Sequence, residues 1–191
     1  MKKLDVAQLF EISIPVLDRF ATVEPKPWDR KAIMLELLGE LGSLSHEIQY
    51  WEGTKRGSTN KSKLCDECSD VLLIIIRLAR EDHILLPAEI DIPENVSRRS
   101  ADLVLGINAL FSKLMEAGNE NDVSVMIKML QTLSSLSLLL GIDLTKAHKT
   151  EMDIANGYFE ASGEDWPKPN AIKHPIKTYR LRRLVKKRRL Q

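Results

Sequence analysis

Residues 35–51, LELLGELGSLSHEIQYW, repeat apolar side chains at the interval of a helical turn. At about 100° per residue, Ile33, Leu37, Leu41, Leu44 and Ile48 fall in one arc about 80° wide. With Glu36 at zero, Glu47 lies at about 20°, Glu40 at about 40° and Ser43 at about 340°. The acids therefore border the apolar stripe, whereas a solvated face would lie across the helix from it. A carboxylate at the edge of a core is costly unless something pairs with it.

The surrounding sequence extends this helix to about 30–52, with Asp29 or the residue before it as cap and Gly53 as its end. Upstream, residues 5–21 read as a first helix, closed by the two prolines of VEPKPWD. Downstream, the polar loop EGTKRGSTNKS leads to a third helix over about 61–82. LLPAEIDIPENVS is a connector. Ser97 is placed to cap a fourth helix over 97–117. A fifth runs from Asn121 or Asp122 to Gly141, and Asp143 opens a sixth reaching Tyr158 or Phe159. No segment alternates apolar and polar residues for long, so strands are not expected. The fold class is all-α, a bundle of about six helices.

The third helix repeats the anomaly of the second. Val71, Ile74 and Leu78 form an apolar line that runs into Glu67 one turn earlier, with Asp70 beside it. Two helices that each turn carboxylates inward suggest a shared cation, because clustered carboxylates repel unless neutralised. Oxygen ligands favour Mg²⁺, with Mn²⁺ as an alternative, over zinc. The competing account pairs these acids with Arg77, Arg80 and Lys63.

Composition is that of an ordinary globular chain, 43% hydrophobic and 29% charged over 191 residues. No apolar run is long enough to span a membrane. The N-terminus reads as a helix and not a signal peptide, so a cytoplasmic location is the expectation. The net charge of +1 hides an asymmetry: residues 173–191 hold nine Lys or Arg and no acid, leaving −8 on residues 1–172. Residues 1–165 read as one bundle and 166–191 as a basic tail. The Cys65-x-x-Cys68 pair lacks two further zinc ligands and reads as two small core residues. His46, His83, His148 and His174 show no ligand spacing, and no phosphate loop of the Gly-rich type occurs.

GELGSLSHEIQYW followed by DECSDVLLIIIRLA resembles the MazG-like nucleoside triphosphate pyrophosphohydrolases of the all-α NTP pyrophosphatase superfamily. That family carries Glu-x-x-Glu on one helix and Glu-x-x-Asp on the next. Glu67-Cys68-Ser69-Asp70 preserves the second half, whereas Ser43 stands where the first half has its second glutamate. An alternative register places Glu36 and Gly39-Glu40-Leu41 on the run and loses a different ligand, with Leu37 in its place. The first is preferred because Leu44 and Ile48 then occupy expected apolar positions. GIDLTKAHKTEMDIANGYF resembles the closing helix, but Glu151 departs from its lysine and Asn156 comes one residue late.

The resemblance implies Mg²⁺-dependent hydrolysis of an NTP or dNTP to monophosphate and pyrophosphate. It carries over Glu40, Glu67 and Asp70 as ligands and catalytic residues, with Glu36 or Glu47 compensating for Ser43. Paired subunits, a homodimer or larger, are also implied. Trp28, Tyr50 and Trp51 flank the acidic helix as candidates to stack on a base. Lys55, Arg56, Lys61 and Lys63 lie on or near the connecting loop, within reach of phosphates.

Residues 97–141 read as a degenerate repeat of the first helix pair. LGINALFSKL lies over LGELGSLSHE, and Thr132 and Ser135 replace Glu67 and Asp70. Two other functions compete with the enzyme: a catalytically weak or silent relative that binds nucleotide or a partner, and an interaction protein whose basic tail contacts nucleic acid or an acidic surface.

Overall fold

A computed structural model describes residues 2–93, 97, 99–116 and 122–162, with side chains as far as Gly157. The basic tail, and the tests it invites, lie outside these residues. Six helices dominate: α1 Val6–Val23, α2 Arg30–Trp51, α3 Lys61–Glu81, α4 Ser100–Glu116, α5 Asp122–Leu139 and α6 Leu144–Ser162. The fold is an all-α bundle.

Local chemistry accounts for most helix starts. Asp5, Asp29, Asn60 and Asp143 each accept a backbone N–H three residues on, at 2.8, 2.8, 3.1 and 3.0 Å. The expected start of α4 at Ser97 is corrected, since the helix begins at Ser100. Its first turn is capped from far away in sequence. Glu52 Oε1, just beyond α2, accepts from Ser100 Oγ (2.5 Å) and Ala101 N (3.0 Å).

The expectation of no strands is also corrected. Lys2–Asp5 (β1) pairs antiparallel with Glu89–Ile92 (β2), Lys2 opposite Ile92 and Leu4 opposite Ile90. Leu4, Ile90 and Ile92 point inward, which is period-two alternation. Each strand has four residues, the shortest run in which that pattern can register.

The hairpin α2–α3 packs against the hairpin α4–α5, while α1 and α6 cover α3. One arginine marks the directions. Arg30, at the start of α2, binds Asp82 just past the end of α3. It also reaches Leu114 O near the end of α4 (3.4 Å) and Asp122 at the start of α5 (2.9 Å). Leu37, Leu41, Leu44, Leu72, Ile75 and Ile107 are among the fully buried residues between the hairpins.

The loop joining α2 to α3 is pinned to α2. Thr54 N and Lys55 N donate to Gln49 O at 2.9 and 3.3 Å. Gly57 adopts φ +145°, and a Cβ there would stand 2.2 Å from Tyr50 Cε1. Gly57→Ala is therefore expected to destabilise the fold by about 2 kcal/mol, as backbone strain and ring displacement add. A urea midpoint unchanged from wild type would contradict this packing.

Among the described residues no single helix is long and apolar enough to cross a membrane.

Candidate metal centre

The middle of α2 supplies Glu40, and α3 supplies Glu67 and Asp70 one turn apart. All three are half-buried, and one oxygen from each lies within 4.8 Å of the other two. The fold therefore brings together three carboxylates that the sequence places on two helices.

Their electrostatics are those of a crowded anionic site. Burial, then Glu40 and Glu47, raise Glu67 to about 7, with Lys63 opposing. Burial, then Glu40, Glu67, Glu151 and Glu36, hold Asp70 well above the usual carboxylate range. Glu36 is raised by its own burial and opposed by Arg77. Glu47 stands 3.9 Å from Lys63 Nζ through Oε1, and its Oε2 is buried without a hydrogen-bond partner. Glu36 and Glu47 thus flank the trio and lie outside the group of three, and Ser43 is exposed at its edge.

The donor set fits a hard divalent cation. Metal–oxygen bonds of about 2.1 Å place opposite ligands about 4.2 Å apart, so separations up to 4.8 Å close with small side-chain rotations. An all-carboxylate set offers only the hard oxygen donors that such cations take.

The arginines proposed as counter-charges are committed elsewhere. Arg77 binds Glu24 through both terminal nitrogens, at 2.8 and 2.7 Å, and Arg80 binds Asp18 at 2.8 Å. Arg77 also lies 3.9 Å over the Trp28 ring, so that face is covered. Tyr50 stacks on His46 (centroids 4.8 Å apart), abuts Gly57, and has Lys55 Nζ 5.7 Å from its ring centre. Lys55 Nζ donates to His46 Nε2 at 2.5 Å. Trp28 and Tyr50, expected as base platforms, thus each have one ring face covered by a side chain of this chain. Trp51 is 47% exposed at the end of α2, one turn beyond Glu47.

Two residues of α6 were not anticipated at the site. Glu151 is half-buried and raised by its burial, and its charge in turn raises Asp70. His148 is fully buried, with Nδ1 2.9 Å from Ser69 Oγ and Nε2 2.7 Å from Ser13 Oγ. Both interrupt the apolar line Leu144, Ala147, Met152, and that interruption was the available signal. Cys68 is core, its thiol pushed up to about 12 by burial, and both cysteines are free.

Burial lowers His148 from 6.5 to about 4, opposed by the backbone of Ser69. Its folded value lies below its unfolded one. Its contribution is therefore complete above about pH 6.5 and is lost as pH falls toward 4, as much as about 3 kcal/mol. The melting temperature is expected to fall more steeply between pH 6.5 and 4 in the wild type than in His148→Gln. Parallel pH profiles would contradict a buried neutral ring.

No family model, curated protein or solved structure matches this chain.

Proposed function

We propose that this chain hydrolyses a nucleoside triphosphate, NTP or dNTP, to the monophosphate and pyrophosphate with Mg²⁺. The observation that carries the proposal is the convergence of Glu40, Glu67 and Asp70, three of the four acids of the motif, on one half-buried point. Bound there, the ion would neutralise phosphate oxygens and acidify a water for attack on the α-phosphorus. Glu40, Glu67 and Asp70 would hold it. Glu47, with a buried unbonded oxygen beside Glu67, is placed to accept a proton from that water. Lys63, near Glu47, would meet an incoming phosphate. Among the described residues, Trp51 is the exposed aromatic left for the base.

The α4–α5 hairpin is read as a worn copy of α2–α3. Burial favours an alignment three residues further on than the one from sequence identity. Ile33, Met34, Leu37, Leu41 and Leu44 then match Leu103, Val104, Ile107, Phe111 and Leu114, all buried, and Glu40 matches Leu110. In that register the second hairpin keeps the core and lacks the acids.

The second reading, a weak or silent relative, is favoured by Ser43 and by the covered faces of Trp28 and Tyr50. One assay separates them: pyrophosphate release from a panel of NTPs and dNTPs with Mg²⁺, beside Glu67→Ala. Release at least about tenfold above the variant is expected, given what metal-site residues contribute. Equal release from both proteins would reject the enzyme.

A further inference from the structure

The residue next to Asp70 is tied into a buried polar chain that crosses three helices. Ser69 and His148 are fully buried, and Ser69 Oγ stands 2.9 Å from Nδ1 of the ring. On the other side Nε2 stands 2.7 Å from Ser13 Oγ, and Ser13 donates to Leu9 O at 2.7 Å. The Ser13 hydroxyl hydrogen is spent on a carbonyl, which can only accept. Ser13 must then accept from the ring, so Nε2 carries the proton and Nδ1 accepts from Ser69. Every polar atom in the relay has a partner, which is the condition under which a buried network specifies one arrangement.

We infer that His148 is a positioning residue for the carboxylate trio, fixing the rotation of α3 about its axis so that Asp70 and Glu67 face Glu40. The inference rests on the metal-site reading of that trio. Its physical basis is leverage. A side chain reaches about 5–6 Å from a helix axis, so a rotation of about 15° moves a carboxylate by about 1.5 Å. Functional constellations tolerate about 0.5 Å. The apolar residues of α3 cannot supply that precision alone, because its buried face is broad: Val71 through Ala79 are all buried. Such a face packs nearly as well a few degrees either way, whereas a hydrogen bond at 2.9 Å from a fully buried ring does not. The same ring lies one turn before Glu151, so it also sets the distance of that acid from Asp70.

The test is Mn²⁺ binding to the full chain, followed by loss of the free-ion electron paramagnetic resonance signal. It is run well below each protein's melting temperature and needs no turnover. His148→Leu removes both hydrogen bonds, and Ser69→Ala removes the one to α3 while keeping the ring. Ile107→Val, in the core of α4, serves as a destabilised control. Both relay variants are expected to bind Mn²⁺ about tenfold more weakly, with the control unchanged. If His148→Leu fails to fold, Ser69→Ala alone decides. Wild-type affinity in Ser69→Ala, or equal weakening in Ile107→Val, overturns the inference. Absence of Mn²⁺ binding by the wild type overturns the metal site itself, and that titration is read before any variant.

Discussion

Asp70→Asn is expected to make the metal-free protein more stable at pH 8 while cutting pyrophosphate release by a hundredfold or more. The stability gain follows from crowding. Asp70 is pushed up by burial and by Glu40, Glu67, Glu151 and Glu36, so its ionised form is opposed from every side. An amide removes one charge and keeps the shape. In a chain of this size about 1 kcal/mol moves the melting temperature by about 2–4 °C, so the rise is readable. Under the proposed function the activity loss follows from the same change, since losing a direct ligand would cost at least what losing its supporting partners does, about 10–100-fold. The pH dependence has a definite sign. Glu67 rises from 4.5 to about 7 in the folded state, so the metal-free fold binds more protons than the unfolded chain. That contribution is complete below about pH 4.5 and is lost as pH rises toward 7. At the proposed site Mg²⁺ would replace the protons. Its effect on the wild-type melting temperature should be near zero at pH 5 and largest at pH 8, and Asp70→Asn should respond to neither. A variant that Mg²⁺ stabilises as fully as wild type would remove Asp70 from the site.

Arg30→Met carries the largest expected loss of stability, about 3–5 kcal/mol, the range for breaking a buried ion pair by removing one partner. The Asp122 side chain has no solvent exposure, and Arg30 supplies its 2.9 Å ion pair. Without Arg30 that carboxylate is left against the N-terminus of α5, whose dipole offsets part of the penalty. Asp82 loses the same partner. Adding Asp122→Asn to Arg30→Met should recover a large part of the loss, because the stranded charge is gone. Urea midpoints of the two single variants and the double form the check. A double variant no more stable than Arg30→Met would show that the arginine acts by packing instead.

Sequence made four helix starts legible because their capping residues are local: Asp5, Asp29, Asn60 and Asp143 lie beside the helices they cap. The start of α4 was not legible in the same way, because Glu52 lies 48 residues before Ser100. The two strands were missed because each depends on a partner far along the chain. The trio was readable because its acids sat at the edge of an apolar stripe on two helices. Helix periodicity cannot say which acids meet, so Glu36 and Glu47 were indistinguishable from Glu40 until the helices were packed. Trp28 and Tyr50 show the converse limit: their flat faces were visible in sequence, but not the Arg77 and His46 that cover them. Glu151 looked like a departure from a family lysine; only the packing of α6 on α3 brings it to Asp70.

The pairing of Lys2–Asp5 with Glu89–Ile92 also sets an order of events. Closing a ring of some 85 residues costs about 4 kcal/mol of chain entropy, and four short pairs return little. The ring becomes affordable only after α1, α2 and α3 have drawn its ends together. The ribbon is then a latch, late to form and early to release. Its opening is expected to leave the helices that carry the carboxylates in place.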